Sequence, residues 1–264
     1  MKIASWNVNS LNVRLPHLTQ WLAATRPDIV ALQETKLEDT KFPAEAINAL
    51  GYQVVFSGQK TYNGVAILAR TPLRDVVSDI PGLDDPQRRI LAATVGDPGA
   101  SPEQILRVVN LYVVNGQAVG SEKYAYKLNW LARMREFLAA QAQQYPNLVV
   151  LGDFNIVPDD RDVYDPVSLK DTVLLSAPER EALQAILALG LHDSYRLFYE
   201  DAGQYSWWDY RMGAFRRNLG MRIDLILVSE ALRARCVGAS IDREPRRWER
   251  ASDHAPVLLE LRDV

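Results

Sequence analysis

The sequence has little cysteine and no long apolar run. Its one cysteine, Cys236, excludes an internal disulfide and fits a reducing cytoplasm. No apolar stretch approaches the roughly 20 residues that a membrane-spanning helix needs, and the opening MKIASWNVNSL lacks the apolar stretch of a signal peptide. These absences argue against a disulfide scaffold and predict a cytoplasmic protein that does not associate with a membrane.

Linkers are absent as well. No low-complexity segment and no long stretch rich in glycine, serine or proline divides the chain, so residues 1–264 are predicted to form a single domain. The hydrophobic content of 48% and the charged content of 24% are ordinary for a globular protein with a sizeable core. Nothing in the sequence requires an oligomer, and we expect a monomer.

Charge of one sign does not dominate the chain. The net charge of −3 gives little support for a nucleic-acid partner, although the distribution of charge matters more than its sum. The basic residues include three arginine clusters: Arg211, Arg216, Arg217 and Arg222; Arg243, Arg246, Arg247 and Arg250; and Arg88 with Arg89. Each cluster could be a solvated surface patch, so composition alone leaves DNA binding undecided.

Short apolar runs separated by turn residues predict a mixed α/β protein. The predicted strands are Lys2–Val8, Asp28–Gln33, Tyr52–Ser57, Gly64–Ala69, Ile90–Val95, Leu106–Val114, Leu148–Gly152, Tyr205–Tyr210, Arg222–Val228 and Ala255–Leu261. The predicted helices are Leu15–Ala24, Ala44–Leu50, Glu122–Gln143 and Pro178–Leu189. Two strand–helix–strand segments resemble each other, which suggests a duplicated unit and two sheets packed face to face with helices outside.

Polar side chains border several of the predicted strands. They are Asn7, Glu34, Asp153 with Asn155, Asp224, and Asp253 with His254. Each has a structural alternative, because Asp and Asn often make turns at strand ends and Glu is usually a surface residue. Together they form a site-like pattern, since strand ends can converge on one rim of a sheet and hold side chains rigidly.

These residue types suit phosphoryl transfer with a hard cation. Mg²⁺ prefers oxygen ligands and typically uses one or two carboxylates, which Glu34, with Asn7 and Asp253, could provide. Asp153 could act as the base that activates a water, with Asn155 fixing that water. His254, beside Asp224 or Asp253, could hold a proton or polarise a phosphate oxygen. Zinc is disfavoured, because the chain has no CxxC or HExxH spacing.

At these residues the sequence resembles the exonuclease III family of AP endonucleases, within the endonuclease/exonuclease/phosphatase superfamily. The resemblance covers nearly the whole chain. A single motif of this kind is weak evidence for a family, but several motifs in the same order and at consistent spacing are very specific evidence. The matching motifs are SWNVNSL, DIVALQETK, NGVAIL, NLYVVNG, LGDFNI, SWWDYR, RNLGMRIDLIL and SDHAPV.

The resemblance implies a four-layer α/β sandwich, in which two mixed β-sheets pack face to face and are flanked by helices. It implies roles as well. Glu34 is expected to be the main metal ligand, Asp153 with Asn155 to position and activate the water, and His254 paired with Asp224 to bind the scissile phosphate. Tyr112 and Asn115 match positions that contact the scissile phosphate. Lys36 and Asn9 are further positions expected to bind the substrate near the metal. A competing view of such sites makes the tyrosine or the histidine the proton acceptor.

The implied activity is Mg²⁺-dependent incision 5′ to abasic sites in double-stranded DNA, with Mn²⁺ as an alternative metal and blocked 3′ ends as further substrates. A mainly 3′→5′ exonuclease activity and a lipid or small-phosphodiester phosphoesterase are the alternatives within the superfamily. A catalytically inactive DNA-binding protein is disfavoured by the retained polar residues. The sequence departs from the family's usual pattern at Asn9, Val114 and the segment Tyr164–Thr172.

Selection of an abasic site needs a pocket that accepts a sugar without a base. Trp207 or Trp208, with Met221 and Ile223, are the predicted walls of this pocket. Two adjacent tryptophans in one strand face opposite sides, so one is expected in the pocket and the other in the core. The arginines of Arg211–Arg222, Arg211 among them, and those of Arg243–Arg250 are expected to contact DNA phosphates.

Overall fold

The computed structural model describes all of residues 1–264. It contains six α-helices: α1 (Leu11–Thr25), α2 (Ala44–Asn48), α3 (Glu122–Gln144), α4 (Ala177–Leu187), α5 (Ala214–Arg217) and α6 (Glu230–Arg233). Its strands are β1 (Lys2–Asn7), β2 (Ile29–Gln33), β3 (Gln53–Ser57), β4 (Val65–Ala69), β5 (Leu73–Val77), β6 (Ile90–Val95), β7 (Leu106–Tyr112), β8 (Leu148–Asp153), β9 (Leu191–Asp193), β10 (Trp207–Trp208), β11 (Gly220–Met221), β12 (Asp224–Ser229), β13 (Cys236–Ile241) and β14 (Val257–Leu261). No helix is both long and apolar enough to span a membrane.

The strands form two six-stranded mixed sheets. One has the order β13-β14-β1-β2-β4-β3 and the other the order β5-β6-β7-β8-β12-β9. Each contains a single parallel pair, β1 with β2 and β7 with β8, and every other pairing is antiparallel. Helices α1 and α3 make the two crossovers. The duplicated unit inferred from the sequence is therefore visible as two sheets with the same sequence of strand directions.

Three apolar clusters hold the layers together. The cluster between the sheets contains residues from both, such as Ile67 and Val149. The other two lie outside the sheets, where Trp21 and Leu22 of α1 cover the first sheet and Met134 of α3 covers the second. Both faces of each sheet are thus buried, which explains the nearly continuous apolar runs of the central strands. The predicted four-layer α/β sandwich is confirmed.

Some boundaries differ from those predicted. Strands β5, β9, β11 and β13 were absent from the prediction; β5 and β13 lie at sheet edges, where exposed residues interrupt the apolar pattern. The run Tyr205–Tyr210 contains only the two-residue strand β10, and the backbone N–H of Trp208 donates to Asp253 O outside the ladder with β11. Helix α1 begins at Leu11, four residues before the predicted start, after Ser10, whose side chain makes no capping bond.

The carboxyl ends of both parallel pairs meet at one rim of the sandwich. Asn7 is paired with Gln33 at the end of β1 and β2, and Tyr112 is paired with Asp153 at the end of β7 and β8. The antiparallel strand β12 begins at the same rim, where Asp224 is paired with Asp153. The backbone at Gly152 approaches β7 so closely that a Cβ there would lie 1.9 Å from Leu111 O. Only glycine allows this approach.

Candidate active site

The centre of the rim is a cluster of two carboxylates and one imidazole. Ligand atoms of Glu34, Asp153 and His254 all lie within 4.8 Å of one another. The Asn7 amide bridges the two carboxylates, donating to Glu34 Oε1 and to Asp153 Oδ2, each at 2.9 Å. Because Asn7 and Asp153 belong to different sheets, this amide also joins the sheets at the site.

His254 is held between two carboxylates. Its Nδ1 lies 2.9 Å from Asp224 Oδ2, and its Nε2 lies 3.7 Å from Asp153 Oδ2. The Ser206 hydroxyl donates to the same Asp224 oxygen at 2.7 Å and accepts the backbone N–H groups of Ile223 and Asp224. The imidazole therefore has a fixed orientation, with Nε2 directed to the side of Asp153.

Burial and mutual charge perturb these groups. Burial, reinforced by the nearby Asp224 carboxylate, raises the pKa of Asp153 to about 7 against the opposing effect of His254. Burial lowers the pKa of His254, but the carboxylates of Asp224 and Asp153 outweigh it and raise that pKa to about 10. Burial and the charges of Glu34 and Asp153 raise the pKa of Tyr112 well above its ordinary value. These perturbations are typical of functional sites.

Two loop asparagines flank Asp153. The backbone N–H of Asn155 donates to Asp153 Oδ1 at 2.9 Å, and its side-chain amide donates to Val113 O at 2.9 Å. The Asn115 amide donates to Asn155 Oδ1 at 3.2 Å. Asn115 is exposed, so it extends the polar site toward solvent. Tyr112 is paired with Asp153 at the end of β7, and the Arg89 guanidinium lies 4.7 Å from the centroid of its ring.

A second polar group lies beside Glu34. The Lys36 ammonium contacts Glu34 Oε2 at 2.9 Å and donates to Asn9 Oδ1 at 2.6 Å. Both carboxylate oxygens of Asp253 have partners, since Oδ1 accepts from the Asn9 amide and Oδ2 from the Trp207 indole, each at 2.9 Å. Asp253 thus lies next to the central cluster and not within it, and its predicted contact with a metal stays a prediction.

Several site residues have strained backbones. Glu34 has φ 52°, Lys36 φ 55°, Asn9 φ 42° and Asn155 φ 47°. Asparagine tolerates the left-handed region, but glutamate and lysine rarely adopt it. Strain of this kind persists only where the surroundings enforce it, and it is concentrated at functional sites. Here it turns the Glu34 carboxylate from the end of β2 into the cluster.

The two tryptophans face opposite sides, as the alternation in a strand requires. Trp208 is fully buried and donates to Asn218 Oδ1, whereas Trp207 is half-buried, lies next to Asp253 and pairs with Met221. Met221 and Ile223 pack with Val163 and partly buried Trp207 in one apolar cluster. The opening outside this cluster is a cavity of about 440 Å³ lined by Trp207, Asp209, Tyr210, Arg211 and Asp253.

The arginine clusters divide into exposed and structural members. The Arg211 side chain is 85% exposed and pairs with Asp209, so its guanidinium can reach a ligand. Arg222 is buried and makes a bidentate ion pair with Asp162. Arg246 is buried too and donates to backbone oxygens of the site loops. Burial therefore excludes Arg222 and Arg246 from the expected phosphate contacts.

Some residues that shape the site were not anticipated. Ser206 orients Asp224, and Arg246 donates to Asp253 O and Trp208 O, fixing the loop that carries His254 against β10. Serine and arginine in loops give no periodic signal. The matching motif SWWDYR begins with Ser206, and that was the one available indication.

The central cluster fits a hard metal cation. Its donors are mainly the oxygens of Glu34 and Asp153, with the amide of Asn7 bound to both, and Mg²⁺ and Mn²⁺ favour oxygen ligands. A single imidazole and the absence of a neighbouring cysteine disfavour a structural zinc site. The donor set therefore agrees with a hard cation.

Two stacked mixed sheets with acids, amides and one histidine on a shared rim define a phosphoester hydrolase of the four-layer sandwich class. The family model of the Endonuclease/Exonuclease/phosphatase family matches residues 4–254. The chain belongs to this metal-dependent family and, within it, to the exonuclease III-type AP endonucleases.

Individual relatives agree with this assignment. Exodeoxyribonuclease III of Haemophilus influenzae is 34% identical, with 99% of this chain and 100% of that protein covered. The 3′ phosphatase NExo from Neisseria, solved bound to a product DNA hairpin, is 48% identical with a TM-score of 0.94 and 99% of each chain covered. An AP endonuclease from Archaeoglobus fulgidus is 38% identical with a TM-score of 0.93 and 100% of each chain covered.

Proposed function

We propose that the protein is a DNA-repair nuclease that hydrolyses the phosphodiester 5′ to an abasic site in duplex DNA and also processes blocked 3′ ends. The observation that carries this proposal is the linked arrangement of Asp153, His254 and Asp224 beside Glu34, next to the opening lined by Trp207. The names of the relatives support DNA as the substrate. The chain is proposed to act as one domain and as a monomer.

A divalent cation, Mg²⁺ or in its place Mn²⁺, would be held by Glu34 with Asn7, and by Asp253 directly or through water. When bound, it supplies positive charge that neutralises and polarises the phosphate. The protein's own groups orient the reactants. Asn7 and the backbone N–H of Asn155 hold the two oxygens of Asp153, which leaves its carboxylate fixed for proton transfer.

Position and charge support a different role for each of the three candidate bases. A base works best when its pKa lies near the operating pH. Burial raises the pKa of Asp153 toward this range, and Asn7 and the backbone N–H of Asn155 hold its two oxygens in place. His254 is charged at neutral pH because its pKa is about 10, so it suits donation to a phosphate oxygen. The raised pKa of Tyr112 keeps its hydroxyl protonated, and we assign it, with Asn115, to phosphate contact.

The test is cleavage of a duplex oligonucleotide that contains one abasic analogue. We expect Asp153→Asn to bind this DNA and to lose about 10²–10⁴-fold in turnover, the usual contribution of a general base. Asp242→Asn is a matched control, because Asp242 accepts a bond from the Trp21 indole at 2.8 Å and takes no part in the site. If Asp153→Asn cleaves within a few-fold of the parent, another group is the base.

A second candidate function is mainly 3′-end processing. The specific observation is that the identity to the 3′ phosphatase NExo, 48%, exceeds the 38% identity to the Archaeoglobus AP endonuclease. Both activities would use the same central cluster. The ratio of cleavage rates on an internal abasic site and on a 3′-phosphate end separates them, and a ratio far below one would favour this second candidate.

A further inference from the structure

A buried lysine lies behind the site, outside the residues assigned above. The side chain of Lys127, in α3, is 0% exposed, and so is that of its ion-pair partner Glu179 in α4. Charged groups are almost never fully buried unless they are paired. Within α3 this lysine stands among the residues that face the second sheet.

All three donors of the ammonium have acceptors. Lys127 Nζ donates to Asn155 O at 2.6 Å, to Asn115 O at 3.1 Å and to the Glu179 carboxylate. A lysine has three N–H donors and no acceptor, so no donor remains unused. Two of the three bonds go to the backbone of the two asparagines that flank Asp153.

Glu179 extends the same network to the segment that precedes α4. Its carboxylate accepts the backbone N–H of Leu174 at 3.0 Å and that of Ser176 at 3.2 Å, and it completes the capping box at the start of α4. Leu174 has φ 75° and packs in the apolar cluster of Met221 and Ile223. One ion pair thereby fixes both asparagine loops and the segment that precedes α4.

We propose that Lys127 is a positioning residue for the hydrolytic reaction: its ammonium holds the backbones of Asn115 and Asn155, which keeps the Asn155 backbone N–H on Asp153 Oδ1 and the Asn115 side-chain amide on Asn155 Oδ1. This inference rests on the proposed nuclease function. Asn155 has a left-handed backbone, φ 47°, and its N–H must point at Asp153 Oδ1. The Lys127 bond to the carbonyl of Asn155 holds the next peptide unit, so the backbone of this residue is fixed on both sides of its Cα.

A stabilising ion pair without this role is the competing explanation. Buried ion pairs can often be replaced by uncharged groups without loss of stability, whereas removal of one partner alone is strongly destabilising. The informative variant is therefore Lys127→Met combined with Glu179→Gln, because glutamine still serves the capping box. Glu179→Gln alone is the comparison variant, since it keeps the ammonium on both carbonyls. Because it leaves the buried ammonium without its carboxylate, its thermal midpoint should fall, and kcat is compared well below the midpoints of both variants.

The readouts are kcat, KM and thermal midpoint on the abasic oligonucleotide. Relative to Glu179→Gln, we expect the double variant to lose about 10- to 100-fold in kcat, the scale of a misplacement of about 1 Å, with KM changed by less than about three-fold. Leu138→Ala, a core change on the same helix, controls for destabilisation and should retain kcat well below its midpoint.

Three outcomes overturn the positioning role. The first is a kcat of the double variant within two-fold of that of Glu179→Gln. The second is an equal loss of kcat in Leu138→Ala. The third is that neither the double variant nor a second one, Lys127→Gln combined with Glu179→Gln, folds. In the last case the lysine serves folding and not alignment. An inactive parent chain would instead contradict the proposed nuclease function, so the two failures are distinguishable.

Discussion

The pair formed by Asp224 and His254 gives the sharpest test of the site. If Asp224 acts only by orienting and charging the imidazole, removing either residue removes the same contact to the transition state. Both single variants should then show a similar loss in kcat. We expect Asp224→Asn and His254→Ala each to lower kcat by about 10²-fold, the scale of one preorganised transition-state contact. At 1.36 kcal/mol for each factor of ten, this loss is about 2.7 kcal/mol.

The geometry explains this size. The bond from His254 Nδ1 to Asp224 Oδ2 is 2.9 Å long, and both side chains are at most 4% exposed, so water cannot replace it. Hydrogen bonds to charged groups contribute about 1.5–3 kcal/mol, which matches the expected loss. Because the residues act as a unit, the double variant should also lose about 10²-fold, and not the roughly 10⁴-fold that independent effects would give.

The assay is single-turnover cleavage of the abasic oligonucleotide, with Asp242→Asn as the control carboxylate. In parallel, NMR of the metal-free protein should show that the pKa of His254 falls in Asp224→Asn, since Asp224 is the main group that raises it. As the folded pKa of about 10 exceeds the unfolded value of 6.5, the charged histidine stabilises the protein fully below pH 6.5. That contribution is lost as the pH rises through about 10. Additive losses in kcat, or an unchanged pKa, would refute the paired role.

Three further predictions concern metal, specificity and charge. Excess chelator should abolish cleavage and Mg²⁺ or Mn²⁺ should restore it, because the Glu34 and Asp153 carboxylates otherwise repel an anionic phosphodiester and Lys36 is already paired with Glu34; full activity in chelator would contradict the metal site. Trp207→Ala should reduce the ratio of the cleavage rates on abasic and intact duplex DNA, because Trp207 lines the opening. Trp208→Ala should lower the thermal midpoint instead, because Trp208 is fully buried. Arg216→Ala, at an exposed position, should make the log–log salt slope of DNA binding shallower by about 0.9, the value for one phosphate contact. An unchanged slope would exclude Arg216 from the DNA footprint.

Much of the fold was predictable because its central strands are buried on both faces. Apolar runs such as that of β8 report such burial directly, and polar residues that end them mark the rim. The edge strands β5 and β13 gave no comparable signal, since their exposure alternates irregularly. The positive φ of Glu34 was not predictable either, because it is imposed by contacts between loops and contradicts the local preference of glutamate.

Charge patterns in the sequence were the least informative feature. Arg222 looks like part of a basic DNA-binding stretch, yet it is buried against Asp162, which lies 60 residues away in the chain. Lys127 looks like an ordinary solvated residue of an amphipathic helix, yet it is fully buried. Pairing of this kind depends on which loops the fold brings together. Counting arginines therefore overstates the surface that is available to a phosphate backbone.

The position of the site follows from the repetition of the two sheets. Each parallel pair has its carboxyl ends at the same rim, and neither sheet alone carries a complete site, because Asn7 and Glu34 follow one pair while Tyr112 and Asp153 follow the other. The link is the Asn7 amide, which bonds Glu34 on its own sheet and Asp153 on the opposite one. A shift of one sheet against the other would break a bond of this amide and move the two carboxylates relative to each other. Precise packing between the sheets is thus a condition for the chemistry and not only for stability.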